Sequence, residues 1–78
     1  MEYLTERITL DADLCNGKPT IRGQRITVQT ILEFVRAGES TEEILYQYPS
    51  LEEEDIKACL DFAIAMVGNT FSIRKIAS

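Results

Sequence analysis

The residues with the clearest chemical potential are three bases set close together, Lys18, Arg22 and Arg25, in a stretch from 16 to 30 that contains no acid. Such a group suits an anion: DNA phosphates, or the acidic active site of a nuclease partner. The alternative is internal pairing of the same bases with acids at the start of the last helix, within the chain or across a dimer. Gly17-Lys18-Pro19-Thr20 superficially resembles a phosphate-binding loop, but the G-x-x-x-x-G-K-[ST] spacing is absent and Pro19 has no N–H to donate, so nucleotide binding is rejected. Gly17, Pro19 and Gly23 are read as setting loop and turn geometry.

Catalysis and metal chemistry have little to work with. The chain has no histidine, so Cys15 has no conventional base to activate it, and Cys15 and Cys59 lack the partners of a zinc site or a disulfide framework. Cys15 reads as a turn residue and Cys59 as packed at the edge of the core. Asp11 and Asp13 form a D-x-D pair without a third ligand, which suits a solvated loop better than a divalent cation. The expectation is a protein that is not an enzyme and holds no cofactor and no metal.

The elements that position these residues follow from local patterns. Ile8 and Leu10 mark an edge strand, and Cys15 to Pro19 a turn-rich loop. Thr20-Ile21-Arg22 and Arg25-Ile26-Thr27 flank Gly23-Gln24 and predict a short β-hairpin with a type II′ turn, in which Ile21 faces Ile26 and Arg22 lies opposite Arg25. Two like charges held that close call for an anion. Val28, Ile31, Leu32 and Val35 form one helical face that ends at Gly38. Ser40 with Glu43 makes a capping box for a short second helix that stops at Tyr48-Pro49, and Ser50 with Glu53 makes another. The third helix carries Ile56, Leu60, Ala63 and Val67 inward and runs to Gly68. Tyr48 plugs the turn before it. For residues 70–76 a strand and a frayed end both remain open.

The expected organisation is therefore one domain over 1–78: strand, loop and hairpin over 1–27, a three-helix helix-turn-helix core over 28–68, and a tail over 69–78. The fold class is mainly α. A net charge of −5 argues against binding nucleic acid by bulk charge, and its distribution is uneven. Residues 31–68 hold nine acids against Arg36 and Lys57, a local −7, whereas 16–30 holds a local +3. Glu52-Glu53-Glu54-Asp55 in the first turn of the third helix suit its dipole and repel phosphate, so any DNA contact is expected at the hairpin. The small core, together with Phe34 and Phe62 beside the apolar faces, leads to the expectation of a homodimer. No apolar run is long enough for a membrane span and no leader is read at the N-terminus, so a cytoplasmic location is expected.

Gly17-Lys18-Pro19-Thr20-Ile21-Arg22-Gly23-Gln24-Arg25-Ile26, then Ala37-Gly38-Glu39-Ser40, then Tyr48-Pro49-Ser50-Leu51 ahead of Asp55-Ile56, resembles the bacterial domain-of-unknown-function 433 family over about residues 6 to 66. Gln24 stands where that family often has threonine. The resemblance implies a homeodomain-like helix-turn-helix. It further implies, for some relatives, an antitoxin role of the VapB type, paired with a PIN-like ribonuclease and with operator DNA as a second partner. The other readings are a free-standing DNA-binding regulator and a structural homo-oligomer.

Overall fold

The computed structural model describes residues 1–68, so the expectations for the tail over 69–78, including a strand at 70–76, lie outside the described residues. Three short strands, β1 (Glu2–Tyr3), β2 (Ile8–Leu10) and β3 (Thr20–Ile21), precede three helices, α1 (Val28–Arg36), α2 (Thr41–Gln47) and α3 (Glu53–Gly68). Roughly half of the described chain is helical, and the strands form one antiparallel sheet in the order β1-β2-β3. The expected mainly-α class is thus corrected to mixed α and β. The reason is that β2 is the central strand, not an edge: it pairs on one side with β1 (Tyr3 opposite Thr9) and on the other with β3 (Ile8 opposite Ile21).

The expected hairpin is also revised. Thr20 and Thr27 share a single antiparallel bridge, and Ile21 N–H donates to Ile26 O at 3.0 Å. The tight turn is centred on Arg22-Gly23, closed by Gln24 N–H to Ile21 O at 2.9 Å. Arg22 (φ 48°) and Gly23 (φ 72°) both have positive φ, which is the type I′ pattern. The remaining donors of this turn find partners on β2 and the residue before it: Arg22 N–H meets Arg7 O and Gly23 N–H meets Thr9 Oγ1. β3 extends the sheet more than it forms a hairpin, and the Arg22 side chain is directed to Asp55.

The core comprises Ile8 and Ile21 from the sheet, Val28 and Ile31 from α1, Ile44 from α2, Leu51, and Ile56 with Cys59 from α3. α1 starts at Val28 and ends before Gly38 (φ +90°) as its sequence predicts, and Thr27, read as a hairpin residue, caps it, its Oγ1 accepting from Thr30 N–H. Ser40 Oγ accepts from Glu43 N–H at 3.1 Å and so caps α2 as expected. Tyr48 packs edge-on against Phe34, with ring centroids 5.9 Å apart.

α3 departs from expectation at both ends. Ser50 does not cap it; its hydroxyl donates to Gln24 Oε1 at 2.6 Å. The reciprocal bonds lie two residues later, where Glu52 N–H donates to the Asp55 carboxylate at 2.8 Å and Asp55 N–H to Glu52 O at 2.9 Å. The buried arc of α3 is Asp55, Ile56 and Cys59, so Cys59 lies fully inside the core and not at its edge. Leu60 and Val67, expected inside, are exposed. They sit to one side of the buried arc, and the last turns of α3 extend past the body that would have covered them.

Candidate functional site

Asp55 is the one fully buried charged residue among the described residues, and it lies at the junction of sheet and helices. The antiparallel register that sets Ile8 opposite Ile21 also sets Arg7 opposite Arg22. Two guanidinium groups on neighbouring strands repel one another unless an anion lies between them. Asp55 supplies that anion. Arg22 grips it in a two-pronged bond, Nε to Oδ1 at 2.9 Å and a terminal nitrogen to Oδ2 at 2.7 Å, while Arg7 donates to Oδ1 at 2.9 Å and to Glu52 Oε1 at 2.8 Å. Arg22 also donates to Ser50 O at 2.9 Å, which ties the β3 turn to the chain entering α3.

Burial alone would raise the Asp55 pKa, but the bonds from Arg22, from Arg7 and from the Glu52 N–H outweigh it and hold the carboxyl below its ordinary value. Arg7 and Arg22 are held more firmly charged by the same contacts. Two cations and two carboxylates leave the cluster without net charge. No buried side-chain nitrogen or oxygen among the described residues lacks a partner. The arrangement joins elements and offers no open valence to a ligand.

Of the three expected anion-binding residues, Arg22 is therefore turned inward onto Asp55, the internal pairing that stood as the alternative. Lys18 and Arg25 are exposed and make no ion pair among the described residues. Lys18 follows a left-handed turn in which Cys15, Asn16 and Gly17 all have positive φ. Pro19 O accepts from Val28 N–H at 3.0 Å and anchors that loop to the start of α1. Gly17 (φ 78°) and Gly23 (φ 72°) both have positive φ. Sequence reasoning missed Arg7 and Asp55. The available signal was Asp55 itself, an acid directly before Ile56 and four residues before Cys59 on what became the buried arc.

Two surfaces remain open. A groove of about 430 Å³ runs along α3 between Thr5–Arg7 and the helix side bearing Glu54, Ala58, Asp61, Phe62 and Ala65. The last turns of α3 expose Ile64 (68%), Met66 (49%) and Val67 (78%). Cys59, buried in the core midway along α3, has its thiol pushed up to about 12, first by burial and then by the nearby Asp55 charge. No group of three or more metal-binding side chains is found among the described residues, and no helix there is long and apolar enough to cross a membrane.

The chain is similar to a curated protein described as "Uncharacterized protein y4eO" from Sinorhizobium fredii, 37% identical over 60 residues. That match covers 77% of the chain but 27% of the relative, so the chain spans about a quarter of that protein's length. No solved structure matches. The Arg22 turn, the Ser40 cap and the Arg22–Asp55 pair lie within residues 8–63, the stretch matched by the family model "Protein of unknown function (DUF433)", and the chain belongs to that family.

Proposed function

We propose that the chain is a non-catalytic protein-binding module that presents the end of α3 to a partner, in an antitoxin-like role toward a PIN-like ribonuclease. In this reading α2 and α3 form a homeodomain-like helix-turn-helix used for protein contact. The observation that carries it is the uncharged run Phe62 to Val67, whose side chains at 64, 66 and 67 stand in solvent. A helix that is apolar on all sides is normally covered. Its first half is clamped to the sheet through Asp55, so the projecting half is presented by a fixed base.

The test is affinity capture of the tagged chain from its source cell, followed by intact-complex mass spectrometry, for the natural sequence and for Ile64→Glu/Val67→Glu. The natural chain is expected with a ribonuclease of the PIN class in fixed ratio, and the double variant without it. An identical result for both chains overturns the proposal.

A second reading, binding of operator DNA, is favoured by the exposure of Lys18 and Arg25. It is opposed by the exposed Glu52, Glu53 and Glu54 at the start of α3. Contact with several phosphates would weaken by orders of magnitude between low and moderate salt, and a DNA affinity flat in salt removes this reading.

A further inference from the structure

The groove beside α3 carries acids on both of its walls. Glu6 stands on the Thr5–Arg7 wall, Glu54 and Asp61 stand on the helix wall, and Ala58, Phe62 and Ala65 supply its apolar lining. Of its two bases, Arg7 is committed to Glu52 and Asp55, and Lys57 leans toward Glu54 at 3.8 Å. Glu6 and Asp61 make no ion pair among the described residues. The groove therefore keeps an unmatched carboxylate on each wall beside apolar surface.

The spacing along α3 defines what fits. Glu54, Ala58, Asp61, Phe62 and Ala65 recur at intervals of three and four, so they lie along one side of the helix. Glu54 and Asp61 are seven residues apart, which is about 10.5 Å of helix at 1.5 Å per residue, with Ala58 between them. The short side chains of Ala58 and Ala65 allow close approach, and Phe62 offers a ring to pack against. We propose that this groove receives a basic amphipathic helix of a partner protein, laid along α3, with two bases seven residues apart facing Glu54 and Asp61. A partner helix has the same rise, so its apolar residues three and four places after the first base fall between the carboxylates, against Ala58 and Phe62. Glu6 meets the same helix from the opposite wall. Charge selects the occupant, since an acidic helix or a nucleic-acid backbone would be repelled by Glu6 and Asp61. Ile64 and Val67 project from another side of α3, so this inference goes beyond the function proposed above and stands or falls separately from it.

The test is nitrogen-15 NMR of the full chain, titrated to millimolar concentration with a blocked, alanine-based helical peptide carrying two lysines seven residues apart and two leucines between them. The amide signals of Ala58, Asp61, Phe62 and Ala65 should shift and saturate, and the same peptide with glutamates for lysines should leave them unmoved. Glu54→Lys/Asp61→Lys, at two exposed positions, should keep the circular dichroism spectrum and weaken binding of the lysine peptide by about tenfold or more. Ile64→Glu/Val67→Glu should bind that peptide as the natural chain does. Groove signals that stay still, that move equally with the glutamate peptide, or that are indifferent to charge reversal would overturn the proposal. So would binding lost in Ile64→Glu/Val67→Glu, which moves the contact to the helix end, or groove signals that shift on dilution of the chain alone, which makes a second copy the occupant.

Discussion

Asp55 is buried at a point where nothing but two guanidinium groups and a helix N–H could keep it charged. Removing it strands Arg7 and Arg22 opposite one another, and loss of one partner from a buried pair costs on the order of 3 kcal/mol. Asp55→Ala should therefore lower the urea midpoint substantially, with Cys59 and Ile56 still available to pack. The carboxyl titrates lower in the fold than its ordinary value of 3.8, so the clamp contributes fully above that pH and its contribution is lost as pH falls through the folded value. The gap in urea midpoint between the natural chain and Asp55→Asn should be constant from about pH 7 to about pH 5 and close as pH falls below about 4. A gap independent of pH would show that the stabilisation is not charge-based. Arg22 gives a second test, because its positive φ costs about 1 kcal/mol in a residue with a β-carbon. Arg22→Gly relieves that cost but removes charge-assisted bonds worth about 2 kcal/mol or more, so the variant should be less stable, with the difference measured by denaturant titration.

At the scale of elements, two serines with the same sequence signature behave differently. Ser40 caps α2, a helix too short to persist without help, and Ser40→Ala should cost about 1 kcal/mol. Ser50 bonds Gln24 across an exposed contact, and Ser50→Ala should cost less than half as much by thermal melting. The S-x-x-E pattern is local, and what decides between the two is the long-range grip of Arg22 on Ser50 O and Asp55, which pulls the start of α3 two residues downstream. The same contrast explains what was legible. α1 and α2 were readable because Val28, Ile31, Ile44 and Ser40 act within a turn or two of themselves. The central place of β2 was not, because three residues around Thr9 show little alternation, and their pairing with both neighbours depends on the Arg22-Gly23 turn lying one residue earlier than the glycine rule suggests. The need for an anion near Arg22 was readable. Its identity was not, since Arg7 and Asp55 stand 48 residues apart.

For the whole molecule, the division is between a clamped body and a projecting helix end. If two copies meet through that end, folding and association are linked, and the melting temperature should rise with protein concentration over a hundredfold range. Ile64→Glu/Val67→Glu should abolish that dependence and leave the circular dichroism spectrum unchanged. A melting temperature flat in concentration for the natural chain would assign the exposed apolar end to a different protein. Lys18 and Arg25 remain exposed, as do Glu53 and Glu54 on α3, whereas Arg7 and Arg22 are consumed in the clamp.

The burial of Cys59 makes the chain its own unfolding clock. Its sulfur, fully enclosed and protonated at neutral pH, should be silent toward alkylating reagents while the fold is closed, whereas Cys15 is partly accessible. With Cys15 replaced by serine, the rate of iodoacetamide capture at Cys59 then reports how often the core stands open, and it converts into the free energy of opening when reclosing is faster than capture.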